Sequence, residues 1–187
     1  MVQVLSKDEV GRLLEVPDLR CRSGRRDRAL LSTMVLGGLR IAEASGLRRD
    51  EVFEVEGVVR LTFAGKGGKR RTVTLPTQAA AALLDHLNHS TGEFVFSART
   101  DRSAALSPRA ARYITQKCFA SAGLPDWAHP HSLRHTCATM LLRATNGDMR
   151  TVQRTLGHSS PVTTAKFYDG YDSTDSDRAA VAMERWL

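Results

Sequence analysis

"HPHSLRHTCATMLL", residues 129–142, decides how the chain is read. It opens a C-terminal third that reads as helical throughout, in segments separated by Gly, Pro or polar residues. In a helix His131, Arg134 and His135 stand at i, i+3 and i+4, so all three project to about one side. His131 lies near the N-terminal end, where backbone N–H groups favour an anion. Two histidines at i, i+4 are also spaced like zinc ligands, but that motif places Glu after the first His, where this chain has Ser132. Arg134 would set a fixed positive charge beside the metal, so no metal is expected here.

Downstream of this helix the sequence stays helical, as "DMRTVQRTLGH" and "PVTTAKFYDGY" separated by Gly, Pro and polar residues. His158 follows Gly157, with Ser159 or Ser160 as a helix cap, and Tyr168 and Tyr171 share the last of these segments. "DSTDSD" then reads as a polar linker before "RAAVAMERWL". In that tail Ala179, Ala182, Met183 and Trp186 fall at i, i+3, i+4 and i+7 of an amphipathic helix.

Upstream, Ser6 and Glu9 have capping-box spacing and open a helix through about Glu15. Pro17 and Gly24 mark a basic loop, and "RRDRALLSTMVLGGLR" forms a core helix ending at Gly37-Gly38. "RIAEASGL" is a short helix closed by Gly46. "EVFEVEG", "VVRLTF" and "RTVTLP" alternate like strands, the last two flanking the Gly-rich turn "GKGGKR" as a β-hairpin. A helix follows over 77–89 with Thr77 as its N-cap, then a short strand "EFVF", then a helix from Pro108 to Gly123. The fold class is therefore mainly α with one small antiparallel β-sheet (α+β), and 187 residues suffice for one domain with a real core.

Composition narrows the function. Hydrophobic residues are 42% and charged residues 25%, as in soluble globular proteins. No apolar run approaches a membrane span and "MVQVLSKDEV" lacks a secretory signal, so a cytoplasmic location without membrane association is expected. Cys21, Cys118 and Cys137 show no paired spacing, which speaks against a disulfide framework or zinc ribbon; Cys118 and Cys137 read as small core residues. The net charge of +7 and pI near 9.8 come largely from "LRCRSGRRDR" (19–28) and "GKGGKRR" (65–71). Such clustering points to a nucleic-acid partner through phosphate neutralisation, with Arg25, Arg26, Lys69, Arg70 and Arg71 as candidate contacts. Lys66, set between Gly65 and Gly67, is the hairpin-tip residue best placed for a chemical role.

Arg40, Lys66, His131, Arg134, His158 and a tyrosine make one chemistry. Fixed cations suit a phosphoryl transition state, a tyrosine can act as nucleophile if a base takes its proton, and no cofactor is required. Glu43, one turn after Arg40, can orient that guanidinium.

These residues sit in "GLRIAE", "GKGGKRR", "HSLRH", "LGHSS" and "TTAKFY", an ordered set spread over residues 37–168 that resembles the tyrosine site-specific recombinases, the phage integrase and Xer-like family. The resemblance implies that Arg40 and Arg134 clamp the scissile phosphate and His158 adds a hydrogen bond. Lys66 would protonate the 5′-hydroxyl leaving group, His131 would act as acid/base, and Tyr168 would attack to give a 3′-phosphotyrosine. Glu43 and His135 would structure the site. Phe167 fills the position where some members place their tyrosine, and Tyr171 lies one turn beyond Tyr168. The family also implies a tetramer on two DNA duplexes, residues 1–171 as catalytic domain, and 172–187 as linker and helix docking in cis or in trans. It usually carries a separate core-binding domain in front; here "LSKDEV" reads as the start of the catalytic domain, so no such domain is expected in this chain. A type IB topoisomerase-like strand-cleaving enzyme and a catalytically silent DNA-binding protein are the alternatives.

Overall fold

A computed structural model describes residues 3–64, 68, 70–98 and 101–157. Helix α1 (Lys7–Glu15) starts at the expected capping box: the Ser6 hydroxyl accepts from Glu9 N–H and the Glu9 carboxylate accepts from Ser6 N–H at 2.7 Å. Helix α2 (Arg22–Val35) is the central element, buried on nearly every side from Ala29 to Val35, as a helix packed by neighbours all round must be. It starts earlier than the sequence suggests. Gly24 lies in its first turn, where a Cβ would stand 1.9 Å from the Asp18 carbonyl oxygen, so close packing rather than a loop requires glycine there.

The short helix α3 (Ile41–Ser45) follows directly and ends at Gly46. Strands β1 (Val52–Val55), β2 (Val58–Ala64) and β3 (Arg70–Thr74) form an antiparallel sheet in the order β1-β2-β3. A two-residue turn joins the first pair, with Glu56 at φ 52° and Gly57 at φ 74° as a tight hairpin demands. Along β2, Val59, Leu61 and Phe63 are buried and face the core, the period-two pattern of a half-buried strand.

Helix α4 (Thr77–Asn88) packs on α2; its N-cap is Pro76, not Thr77, and no side chain caps it. "EFVF" makes no strand, because Phe94 and Ser97 form isolated bridges only, to Arg48 and Ala105. Helix α5 (Pro108–Ser121) is capped by the Ser107 hydroxyl and stops before Gly123, as read. Helices α6 (Pro130–Ala144) and α7 (Met149–Leu156) complete the described chain. Most apolar side chains join one core, while Cys137, Ala138, Leu142, Val152 and Leu156 form a smaller cluster between α6 and α7. The predicted mainly helical architecture with one small sheet therefore holds. The segment after Gly157, including the proposed linker and tail helix, lies outside the described residues.

Candidate active site

Three chain segments meet where α2 ends. Beyond α2 the chain turns back on itself through Gly38, at φ 67°, whose absent Cβ would lie 2.3 Å from a Leu156 methyl carbon and 3.0 Å from the Cys137 sulfur. Arg40 comes two residues later, at the N-cap position of α3. Its backbone N–H donates to Glu43 Oε2 at 2.7 Å and its Nη1 donates to Glu43 Oε1 at 2.7 Å, so a carboxylate one turn on holds both its backbone and its guanidinium.

The first turn of α6 supplies the second segment. His129 is the N-cap: its Nδ1 accepts from Ser132 N–H at 3.2 Å, and the Ser132 hydroxyl donates to the His129 carbonyl at 2.7 Å. The His131 ring meets His135 edge-on with centroids 4.3 Å apart, and stacks on His129 at 6.4 Å. Arg134, on the same helix, is only 2% exposed. Its Nη1 donates to the Gly38 carbonyl at 2.5 Å and its Nη2 to the Leu156 carbonyl, the C-terminal end of α7.

The third segment is β3. Arg71 shares the inner face of the strand with Val73, while Arg70, Thr72 and Thr74 face outward. Its guanidinium lies 4.9 Å over the Phe63 ring, its Nη2 donates to Glu43 Oε2 at 2.8 Å, and its Nη1 donates to the Leu156 carbonyl. Glu43 thus serves two arginines, and the Leu156 carbonyl serves two arginines.

Among the described residues charge is unbalanced in this cluster, because Arg40, Arg71 and Arg134 face the one carboxylate of Glu43. Burial pushes Arg134 down to about 9, with Arg40 and Arg71 adding repulsion and Glu43 only partly opposing them. Burial likewise lowers Arg71. A guanidinium keeps its proton in proteins, so the shift expresses the cost of a buried and incompletely compensated charge rather than a neutral arginine. The histidines respond differently: burial first, then Arg134, His129 and Arg40, lower His131, and burial with His131, His129 and Arg134 lowers His135 to about 4. Both imidazoles are neutral at pH 7, His131 able to accept a proton and the arginines able to hold an anion.

Among the predicted residues, Arg40, Glu43, His131, Arg134 and His135 come together here. Lys66, Lys69, His158 and Tyr168 lie outside the described residues, as does Tyr171. Arg71 needs correction: it is not on the hairpin's outer surface but 10% exposed within the cluster. The strand's alternation with Val73 was the signal that could have placed it. His129 was also missed, since a histidine seldom acts as an N-cap and its spacing to Ser132 gives no distinctive pattern. Arg70 does stay exposed, its Nη2 donating to the Thr62 carbonyl at 3.2 Å. Arg25 and Arg26, the candidate DNA contacts nearer the N-terminus, make ion pairs within the protein. On α2 they are half-buried, and their charges face Asp85 at 3.2 Å and Asp27 at 2.6 Å. Among the described residues no group of His, Cys, Asp and Glu could hold a metal ion, and no helix is long and apolar enough to cross a membrane.

An arginine pair braced by one carboxylate beside neutral histidines is the frame of an anion-handling site, and comparison with known proteins gives its class. The chain belongs to the phage integrase family, whose sequence profile matches residues 3–173. It is 38% identical over 184 residues to tyrosine recombinase XerC of Methylobacterium sp. (strain 4-46), covering 91% of this chain and 54% of that protein. It is 40% identical over 165 residues to tyrosine recombinase XerC of Xanthomonas campestris pv. campestris (strain B100), covering 87% and 49%. The chain thus spans about half the length of the curated relatives it matches. In structure it is similar to the XerH site-specific recombinase in a pre-cleavage complex with its difH substrate, with a TM-score of 0.78 and 26% identity over 95% of this chain and 53% of that one.

Proposed function

We propose that this chain is the catalytic part of a site-specific DNA recombinase that breaks and rejoins double-stranded DNA through a covalent 3′-phosphotyrosine. The carrying observation is the Arg134 guanidinium, fixed by the Gly38 and Leu156 carbonyls beside Arg40, in a cluster where three guanidinium groups face one carboxylate. Cations held rigid before substrate arrives need no reorganisation as negative charge builds on a phosphorane, which is how such sites lower a barrier. Each such donor typically contributes on the order of 2.7–4 kcal/mol to transition-state stabilisation.

In this reading Arg40 and Arg134 hold the non-bridging oxygens of the scissile phosphate, with His158 adding a hydrogen bond. Tyr168 Oη attacks phosphorus while neutral His131 takes its proton. The bond from phosphorus to the 5′-oxygen breaks, and Lys66 gives that oxygen a proton. Rejoining runs the same steps backward, so the energy of the phosphodiester is conserved and no cofactor or metal takes part. Glu43 and His135 hold the arginines and His131 in place, and the outward-facing Arg70 with Lys69 meets the DNA backbone. Residues 1–171 form the catalytic unit, 172–187 are its linker and docking helix, and four protomers act on two duplexes in the cytoplasm. The similarity to relatives called tyrosine recombinases and to a structure solved on its DNA substrate supports this reading.

A nicked suicide duplex tests it, because loss of the short 5′-fragment traps the intermediate. A covalent protein–DNA band should form in EDTA, persist in Tyr171→Phe and vanish in Tyr168→Phe. An EDTA-sensitive band, or one that survives Tyr168→Phe, overturns the proposal. Plasmid relaxation without strand exchange between paired sites would turn the reading to a topoisomerase-like enzyme.

A further inference from the structure

We propose that Arg71 is a positioning residue for strand cleavage: it ties the C-terminal carbonyl of α7 to the carboxylate that orients Arg40. The inference rests on the recombinase reading above and gives a role to a residue that the charge pattern alone would assign to DNA contact.

Alternation along β3 turns Arg71 inward with Val73, and the Phe63 ring on β2 supports its guanidinium at 4.9 Å. At 10% exposure the side chain is committed to the protein interior. Its two terminal nitrogens have separate tasks. Nη2 donates to Glu43 Oε2 at 2.8 Å, the oxygen that also accepts from the Arg40 backbone N–H, while Glu43 Oε1 holds the Arg40 side chain. Nη1 donates to the Leu156 carbonyl, which Arg134 Nη2 also reaches. Leu156 is the last residue of α7, and its carbonyl carries the partial negative charge of a helix C-terminus, which favours cations.

Gly157 completes the arrangement. It has φ 63°, and a Cβ there would stand 2.9 Å from both Cδ and Nη1 of Arg71, so the Arg71 side chain would have to shift if residue 157 carried a side chain. One guanidinium therefore joins three segments: β3, five residues after Lys66; α3, which begins after Arg40; and α7, which ends two residues before His158. Helix α7 is short and is buried only through Val152 and Leu156, so a polar tether at its end has few packing contacts to back it up. Elsewhere the chain uses the same device. Arg28 donates to the Leu14 carbonyl at the end of α1, and Arg49 Nη2 donates to the Leu87 and Ser90 carbonyls at the end of α4.

The test uses the full chain with Arg71→Met, Arg71→Lys, Glu43→Gln and the Arg71→Met/Glu43→Gln pair. Adduct formation on the nicked duplex is followed in single turnovers at saturating DNA, beside DNA affinity across a salt series and amide exchange of α7. Arg71→Met should slow cleavage at least about tenfold even at saturating DNA, since small misplacements of reacting groups cost up to about 10²-fold. Its salt slope of binding should stay unchanged, and exchange should quicken at Leu156 and Gly157. Arg71→Lys, able to keep one of the two contacts, should lie between, and the double variant should be no worse than the more damaging single one. A rate restored by saturating DNA, together with a salt slope lower by about 1, would instead mark Arg71 as a phosphate contact and overturn the proposal. Unchanged α7 exchange would overturn it as well. Should Arg71→Met fail to fold, Arg71→Lys and Glu43→Gln carry the same readouts. If the unmutated chain forms no adduct, the recombinase reading falls and the effect on cleavage with it, while the exchange measurement still decides the tether.

Discussion

A guanidinium as buried as that of Arg134 gives up most of its hydration, a loss of several kcal/mol that only well-placed acceptors offset. The acceptors here are main-chain carbonyls at Gly38 and Leu156 rather than carboxylates, so the charge is held in place without being cancelled. Gly38 makes this possible, because its positive φ brings its carbonyl to Arg134 and its missing Cβ leaves room for Leu156. Gly38→Ala should therefore lower stability by about 1–3 kcal/mol, adding the left-handed backbone cost to an overpacked contact. Chemical denaturation measures it, and a loss below a few tenths of a kcal/mol would contradict the packing described. Arg40 with Glu43, and His131 with Arg134, were each legible as a pair, since short-range spacing at a helix fixes which side chains share a face; that the two pairs belong to one site was implied by the family resemblance alone. Arg71 was not legible, because a basic hairpin tip and a buried arginine look alike in a charge count. Only the face of the strand separates them.

At the scale of elements, arginine works as much within the fold as on its surface. Arg28, Arg49, Arg71 and Arg134 each donate to carbonyls at helix ends, where four acceptors per helix lack partners. Helix α6, which carries His131 and Arg134, is anchored in a comparable way. Leu5 N–H donates at 2.9 Å to the Thr136 hydroxyl, which itself donates to the Ser132 carbonyl at 2.9 Å. Both groups are buried. Thr136→Val, nearly equal in volume, should cost about 1–3 kcal/mol by leaving the Leu5 N–H unpaired. Urea unfolding should show a lower midpoint with an unchanged slope, and an unshifted midpoint would mean that the N-terminal segment is not held by this bond. Element boundaries were less legible than element types. The pattern of "EFVF" suits a strand, yet no neighbouring strand lies alongside to pair with more than single residues. Helix α2 begins in what reads as a loop because the Cys21 sulfur accepts from Gly24 N–H and the Asp18 carbonyl closes over that glycine.

For the whole molecule, the site imposes a pH dependence. His135 is pushed from 6.5 to about 4, chiefly by burial and then by His131, His129 and Arg134, and His131 moves in the same direction. The folded state therefore binds fewer protons than the unfolded chain between about pH 4 and 6.5, so stability is complete above about 6.5 and declines as pH falls toward 4. For His135 the expected loss is about 1–3 kcal/mol after allowing for partial exposure. Denaturation at pH 7.5, 5.5 and 4.5 should show this slope, and His135→Gln should flatten it; an equal slope in the variant would assign the effect to other groups. The charge of +7 also divides at this scale, with some arginines paired or capping helices and others, such as Arg70, left facing outward.

By itself the sequence determined the type of most elements, the hairpin, the capping box at Ser6 and the family, because these depend on interactions within a few residues or on motifs of fixed spacing. What only the tertiary structure decided is which charges share one space. Glu43, Arg71 and Leu156 are 28 and 85 residues apart along the chain, and their hydrogen bonds exist because α3, β3 and α7 pack at the end of α2. Electrostatic work depends on distance and burial in three dimensions, and neither is written in the order of residues.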